Sequence, residues 1–179
     1  MSDARFLVIS GLGPDRPGLV AEATWFLTER GANVEDSRAI VLGGEFGLMM
    51  LASGAPESLR RITADLGILE HATGLLFTYR LTVSPEEHRR NRAVPYVIEA
   101  SAIDHEGIVH AITECLYAAG INIVTLDTSV VNAPVTGTPL FRFEAQVDVP
   151  DGVSAEEVRS TLNKTAAERN LDIEMRAAR

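Results

Sequence analysis

One strand–loop–helix pattern occurs twice in this chain, and the two copies are 89 residues apart. In the first copy the segment Gly11–Gly18 connects an apolar strand pattern to a helical pattern, and in the second copy the segment Asp104–Gly107 does so. The same spacing relates Gly31 to Gly120, the glycines that end the two helical patterns. One register kept across a loop, a helix and its end indicates an internal duplication.

The order of patterns within each copy predicts the fold of the unit. The first copy contains, in order, a strand pattern at 6–9, a helix, strand patterns at 33–42 and 46–52, a helix opening at Pro56, and a strand pattern at 75–83. The intervening pair Gly43 and Gly44 is typical of a hairpin turn. This β-α-β-β-α-β order is that of a ferredoxin-like unit. The predicted fold class is therefore α+β, with two such units, each an antiparallel four-stranded sheet carrying two helices on one face.

The last helix of each copy has its own pattern. In the first copy a single helix is predicted to bury the stripe Leu59, Ile62, Leu66 and Leu69. In the second copy Ser154 begins a capping box, and Val158 corresponds to Leu59 at a spacing of 99 residues. We assign the ten additional residues to a longer hairpin loop at 132–138, because insertions in surface loops cost little.

Domain boundaries are set by the charged segment between the copies. We predict a first domain at 1–84, a linker at 85–95 and a second domain at 96–179. The linker lies between Pro85 and Pro95 and contains three arginines, so it is expected to be solvated, with room for one helical turn. These arginines could also contact an acidic partner or RNA, but a solvated charged linker is the simpler interpretation.

Charge and composition exclude several classes of protein. The 179 residues carry a net charge of −9, which disfavours direct binding to a nucleic-acid backbone. The N-terminal segment contains Asp3 and Arg5 and resembles neither a signal peptide nor a membrane span, so a cytoplasmic location and no membrane contact are expected. The single cysteine, Cys115, corresponds to the apolar Phe26 of the first copy and is predicted to pack in the core.

Motifs for cofactors, metals and catalysis fail in detail. The pair Gly11 and Gly13 suggests a dinucleotide-binding loop, but Arg16 stands where the third glycine is needed. His105 and His110 are five residues apart and cannot share one helix face, which argues against a metal site. No nucleophile motif is present in the sequence. We therefore expect no catalytic residue, no cofactor and no metal.

The loop Gly11–Gly18 has the composition of a small-ligand site. Its glycines permit unusual backbone angles, and Pro17 restricts φ near the helix start. Asp15 and its counterpart Asp104 are placed to cap the helices after them, and they could also contact a ligand. Free backbone N–H groups at such a helix start suit the carboxylate of a small molecule.

The segments Gly13–Val20 and Gly31–Val34 resemble the ACT domain family of small βαββαβ amino-acid-binding modules. The segment Asn33–Arg38 followed by Leu42–Phe46 resembles more narrowly the glycine cleavage system transcriptional repressor family. The resemblance extends over nearly the whole chain. It is looser in the second copy, because Asp104–Gly107 lacks the Arg-Pro pair of the first loop.

This resemblance implies an accessory regulator rather than an enzyme. It implies a small amino acid as effector, with glycine suspected, and a transcription regulator protein as partner, without direct nucleic-acid contact. A homodimer is possible. Two alternatives stay open, which are a regulatory subunit of an amino-acid metabolic enzyme and an interaction module that has lost its ligand.

Ligands of ACT modules touch the loop before the first helix of one module and the second strand of a facing one. The resemblance therefore implies contacts in the first copy from Asp15, Pro17, Gly18, Leu19 and Asn33. Weaker counterparts in the second copy are Asp104, Gly107, Ile108 and Asn122.

Overall fold

The computed structural model describes residues 5–88, 93–133 and 137–178. The chain divides into two compact units, Met1–Arg90 and Asn91–Arg179.

The first unit contains seven strands and helices, and then one short helix. They are β1 (Arg5–Pro14), α1 (Leu19–Glu29), β2 (Ala32–Leu42), β3 (Glu45–Gly54), α2 (Pro56–Ala64), α3 (Leu66–Thr73), β4 (Leu76–Thr82) and α4 (Pro85–His88). The second unit contains β5 (Ala93–Ile103), α5 (Ile108–Ala118), β6 (Asn122–Asn132), β7 (Pro139–Pro150), α6 (Ala155–Arg169) and β8 (Asp172–Ala177).

Each unit has one antiparallel sheet of four strands. The strand order is β2-β3-β1-β4 in the first sheet and β6-β7-β5-β8 in the second. This order confirms the predicted fold class, two ferredoxin-like βαββαβ units. It places β1 and β5 inside their sheets, with an antiparallel neighbour on each side.

The helices cover one face of each sheet, and alternate strand residues point into the core between them. In the first unit Leu7 and Ile9 of β1 are fully buried and belong to one apolar cluster with Ala23 and Leu27 of α1. In the second unit β7 alternates as predicted, with Phe141, Phe143, Ala145, Val147 and Val149 buried. The residues between them, such as Arg142, are exposed or partly exposed.

The duplication extends to an irregularity in the second strand of each unit. The register of β2 shifts between Val34 and Asp36, and that of β6 shifts between Ile123 and Thr125. The bulged residues are thus Glu35 and Val124, which are again 89 residues apart. A β-bulge at the same point of both sheets shows that backbone geometry is retained while side-chain chemistry has diverged.

The faces of the two sheets that point away from the helices differ in character. In the first unit one row of paired positions carries Ile40, Leu12 and Leu76, which are 48%, 60% and 76% exposed. In the second unit a row of paired positions across all four strands is acidic. It consists of Asp127, Glu144, Glu99 and Glu174. Arg176, two residues after Glu174 on β8, forms an ion pair with Glu99 of this row.

Two boundaries differ from those predicted for the first unit. Strand β1 continues to Pro14 because it pairs with β3 along its whole length, so the loop before α1 is only residues 15–18. The predicted single second helix is wrong, because the chain breaks between α2 and α3 at Asp65. The carboxylate of Asp65 accepts hydrogen bonds from the guanidinium of Arg30, a contact at a sequence separation of 35 residues.

The assignment of all ten additional residues to one hairpin is also wrong. In the first unit Pro14 pairs with Glu45, and at the corresponding position of the second unit Ile103 pairs with Leu140. Leu140 lies 95 residues after Glu45, which is six more than the repeat spacing of 89. The hairpin between β6 and β7 therefore accounts for six of the extra residues, and the other four precede α6. The hydroxyl of Ser154 does cap α6, by accepting a hydrogen bond from the backbone N–H of Glu157 at 3.3 Å.

The segment between the units contains the short helix α4, and β5 begins at Ala93. The three arginines of the predicted linker, Arg89, Arg90 and Arg92, lie outside the described residues, so neither interpretation of them is tested. Among the helices described, none is long and apolar enough to cross a membrane.

A close contact between β1 and β4 gives a test of this packing. A Cβ added at Gly11 would lie 2.6 Å from a ring carbon of Phe77, its cross-strand partner. The second unit has Ala100 and Ile173 at the corresponding pair. We predict that Gly11→Ala lowers the free energy of unfolding by about 1–3 kcal/mol through overpacking. Denaturant unfolding measures this, and Gly11→Ala combined with Phe77→Ile should recover most of the loss; no recovery would contradict the explanation.

Candidate functional site

The loop at residues 15–18 ends at a glycine that caps α1 without a side chain. Gly18 is the N-cap residue, with φ 96° and ψ −15°, and no side chain accepts a hydrogen bond from the first turn. The first backbone hydrogen bond of the helix runs from the N–H of Glu22 to the carbonyl of Gly18 at 3.0 Å. The N–H groups of residues 19–21 therefore have no intrahelical acceptor, as at any helix start.

The second unit repeats this cap at Gly107, with φ 87° and ψ 3°. The N–H of Ala111 donates to the carbonyl of Gly107 at 3.0 Å. Positive φ at both positions favours glycine, which explains why both loops end in this residue. The two helix starts thus present the same backbone geometry.

The expectation that Asp15 and Asp104 cap these helices is wrong. The caps are glycines, and neither helix has a side-chain cap. Instead, the backbone N–H of Asp15 donates to the carbonyl of Gly44 at 3.2 Å, and that of Asp104 donates to the carbonyl of Pro139 at 3.0 Å. These bonds tie each loop to the hairpin beside it. Both aspartates are exposed, and among the described residues no protein group pairs with their carboxylates.

The remaining predicted loop residues divide into exposed and buried positions. Pro17, Gly18 and Gly107 are exposed. Leu19 and Ile108 are each only 2% exposed and belong to the cores of their units. Only the backbone of these two residues is therefore available to a ligand.

Arg16 fixes the first loop, and the sequence analysis gave it no role. Its guanidinium donates to both carboxylate oxygens of Glu22 at 2.7 Å and to the carbonyl of Ala72, in the last turn of α3, at 2.9 Å. The loop is thereby attached both to its own helix and to the next one. A bidentate pair of this kind restrains orientation as well as distance.

His105 occupies the corresponding position in the second unit, 89 residues after Arg16. Its Nε2 lies 3.1 Å from the carbonyl oxygen of Arg169, the last residue of α6, and its Nδ1 lies 3.0 Å from that of Glu106. In both units the residue at this position therefore holds the loop to the end of the helix that precedes the last strand. We call this contact the loop anchor. The repeat spacing was the sequence signal that could have revealed it.

The ion pair of Arg16 with Glu22 changes the ionisation of both groups. Hydrogen bonding from Arg16, with a smaller coulombic contribution, lowers the pKa of Glu22 from its ordinary value, and partial desolvation opposes this shift. The same pair raises the pKa of Arg16. The charged forms of both groups are thus favoured in the folded protein.

Asn33 and Asn122 are not brought to the loops of their own units. Asn33 pairs with Ser53 of β3, which pairs on its other side with Phe6, near the start of β1. The loop begins after Pro14, at the other end of β1. Eight residues of strand separate these points by about 26 Å. Asn122 is aligned in the same way with Pro95 near the start of β5.

Asn33 instead belongs to a polar group at the bulge of β2. Its amide and the hydroxyl of Ser53 both donate to the carboxylate of Glu35. The hydroxyl of Ser53 makes the larger contribution, the amide of Asn33 the smaller, and together they lower the pKa of Glu35. The sequence analysis gave Glu35 no role in a site.

The residues considered for metal binding and thiol chemistry have ordinary surroundings. His110 is exposed on α5, and among the described residues no group of three or more His, Cys, Asp or Glu side chains could hold a metal ion. Cys115 is partly buried against the core, with its Sγ 3.0 Å from the hydroxyl of Thr165.

Comparison with known proteins agrees with this architecture. Residues 5–80 match the family model of the ACT domain. A glycine cleavage system transcriptional repressor from Escherichia coli (strain K12) is 30% identical over 126 residues, which is 70% of this chain and 65% of that relative. The protein of the same name from Shigella flexneri matches equally. The chain thus spans just under two thirds of the length of these curated relatives.

Two solved structures cover both units. A crystal structure of an unknown protein from Galdieria sulphuraria is 32% identical, with a TM-score of 0.79, and the match covers 99% of this chain and 100% of that one. The structure of a protein provisionally named as a glycine cleavage system transcriptional repressor has a TM-score of 0.70 at 24% identity, covering 99% of both chains. At that identity the second likeness concerns the fold alone.

The family match assigns an ACT domain to residues 5–80, and the second unit repeats the fold of the first, so the chain has a tandem ACT fold. It is a member of one family with the Galdieria sulphuraria protein. Among proteins of known name, it is similar to the glycine cleavage system transcriptional repressors.

The ion pair between Arg16 and Glu22 predicts a pH dependence of stability. The pKa of Glu22 is lowered in the folded state, so its charged carboxylate stabilises the fold fully above the unfolded-state pKa of about 4.3. This stabilisation is lost as pH falls through the lower folded-state pKa. We expect Glu22→Gln to be less stable than the wild-type protein at pH 7, with the difference shrinking below about pH 4.

Thermal unfolding across this pH range measures the effect. Glu29→Gln is the matched control, since Glu29 lies on the same helix, is exposed, and forms no ion pair in the described part of the chain. A difference between wild type and Glu22→Gln that stays constant with pH would contradict the assigned role of this carboxylate.

Proposed function

We propose that this protein is an amino-acid-sensing accessory regulator whose effector site is the first glycine-capped loop. The effector is a small amino acid, and glycine is the candidate to test first. The regulator acts in the cytoplasm through contact with a transcription regulator protein, and it is neither an enzyme nor a direct binder of nucleic acid. It could form a homodimer.

One observation carries the proposal. The loop presents two opposite features within four residues, the free N–H groups after Gly18 and the carboxylate of Asp15, which has no partner among the described residues. An amino acid is a zwitterion with a carboxylate and an ammonium group. Helix N–H groups favour the carboxylate, and an aspartate favours the ammonium group. The loop therefore offers complementary groups to both ends of such a ligand.

Crowding around Gly18 favours a small effector. The position that a Cβ would take at Gly18 is 3.3 Å from Oε1 of Glu22, which is held in place by Arg16. A ligand group that approaches Gly18 from the side of this Cβ would meet these side chains, which leaves less room there for a bulky effector. Glycine, with no side chain, satisfies this restriction most easily.

The regulatory part of the proposal rests on similarity and on charge. The curated relatives are named transcriptional repressors of the glycine cleavage system. A net charge of −9 disfavours direct contact with DNA, so the effect on transcription is assigned to a protein partner.

Removal of the loop carboxylate's charge tests the effector site. We expect Asp15→Asn to weaken glycine binding by about tenfold or more, because it removes the charge opposite the ammonium group. Isothermal titration calorimetry of the full chain with glycine and a panel of other amino acids provides the measurement. Asp104→Asn is the matched control and should have the smaller effect. Binding by the wild type that Asp15→Asn leaves unchanged would remove the first loop from the site.

The panel also separates the alternatives. Failure of every amino acid to bind would favour an interaction module without a ligand. Strong binding of an amino acid other than glycine would favour a regulatory subunit of an amino-acid metabolic enzyme.

Substitution of the capping glycines separates binding from backbone strain. Gly18→Val and Gly107→Val both place a Cβ at positive φ, and each should lower the free energy of unfolding by about 1–2 kcal/mol. Only Gly18→Val is expected to abolish glycine binding. Thermal melts and calorimetry on both variants measure this, and equal losses of binding would show that strain rather than position decides the result.

A further inference from the structure

A small groove lies in the first unit between α2 and the strands β1 and β4, away from the loop at residues 15–18. Its volume is about 170 Å³. Arg5, Tyr79 and Leu81 line it from the sheet, and Leu59 and Arg60 line it from α2. Arg5 begins β1, so the groove is at the opposite end of this strand from Asp15.

The groove combines two cations with an apolar floor. Arg5 forms no ion pair within the described residues. The side chain of Arg60 is 73% exposed and forms an ion pair with Glu57, which is also exposed. Leu59 is 3% exposed and forms the base of the groove, and Leu81 is 64% exposed at its side. Two arginines line this groove in a chain of net charge −9, which indicates a preference for an anion at this point.

The second unit supplies an internal comparison. The N-cap residues of α2 and α6, Ala55 and Ser154, are 99 residues apart, so Arg159 corresponds to Arg60. Arg159 is engaged, because its Nη2 donates to the carbonyl of Met175 at 3.2 Å. The residue that corresponds to Arg5, at the repeat spacing of 89, is apolar Val94. Arginine at both of these positions is therefore a property of the first unit and not of the fold.

We propose that this groove binds a small organic carboxylate, with the carboxylate between Arg5 and Arg60 and the carbon chain over Leu59 and Leu81. Guanidinium groups match the geometry of a carboxylate. At about 30 Å³ for each water, the volume corresponds to roughly six water molecules, which accommodates an acid of a few carbons. This site is separate from the proposed effector loop and does not depend on it.

Titration of the full chain with straight-chain monocarboxylates from acetate to hexanoate tests the proposal. In ¹H–¹⁵N NMR spectra, butyrate should bind with a Kd on the order of 1 mM and shift amide resonances of α2, β4 and the start of β1. Affinity should rise with chain length until the groove is filled. Inorganic phosphate, which has no carbon chain, should bind more weakly.

Substitutions identify the groups that bind. Arg5→Gln and Arg60→Gln should each weaken butyrate binding by about tenfold, whereas the matched control Arg159→Gln should leave it unchanged. Both arginines are exposed, so the variants are expected to keep the wild-type melting temperature within a few degrees. Asp15→Asn should not affect butyrate binding.

Three outcomes would overturn the proposal. They are no saturable shift at about 10 mM butyrate, phosphate binding as tight as that of butyrate, and shifts confined to residues near the loop at 15–18. Because Asp15→Asn tests the effector loop separately, failure of this groove and failure of the proposed function are distinguishable.

Discussion

The pairing of β1 on both sides determines the geometry of the loop and helix start in the first unit. Antiparallel hydrogen bonding to β3 runs from Arg5 to Pro14, and pairing to β4 runs from Phe6 to Leu12. Since β1 continues to the end of its neighbour, only four residues remain to reverse the chain into α1. A left-handed glycine at the helix start is the conformation that allows so short a connection. The exposed helix N-terminus is thus a consequence of strand length, and the same relation holds for β5 in the second unit.

The loop anchor makes the same contact in both units with different side chains. Arg16 and His105 share a repeat position, and each contacts a carbonyl in the last turn of the helix that precedes the last strand of its unit. Carbonyls there lack intrahelical partners, so a cationic or N–H donor at this position satisfies them in either unit. The difference between the loops lies in the carboxylate, because the first anchor also holds Glu22 and the second has Ala111 at the matching position.

Periodicity and the repeat spacing predicted the order of the strands and helices, because each depends on residues close together in sequence. The break at Asp65 was not predictable in that way, since it depends on an ion pair with Arg30, 35 residues away. The helix caps were assigned to Asp15 and Asp104 by residue type, but backbone geometry placed the glycines there. The position of Asn33 also required the sheet order, because β1 and β2 run in the same direction with α1 between them, so the start of β2 lies far from the end of β1.

The uncovered sheet faces give the two units opposite responses to ionic strength. In the second unit, four carboxylates stand side by side across the strands, and like charges at paired positions repel one another, although the ion pair of Glu99 with Arg176 offsets part of this repulsion. Added salt screens this repulsion, and it weakens any attraction of the row for a cationic surface. The apolar row of the first unit carries no charge to screen, and salting-out ions strengthen the burial of such a surface. Added salt thus favours burial of the apolar row in the first unit and disfavours binding of a cationic surface to the acidic row in the second, although both rows stand on the same duplicated backbone.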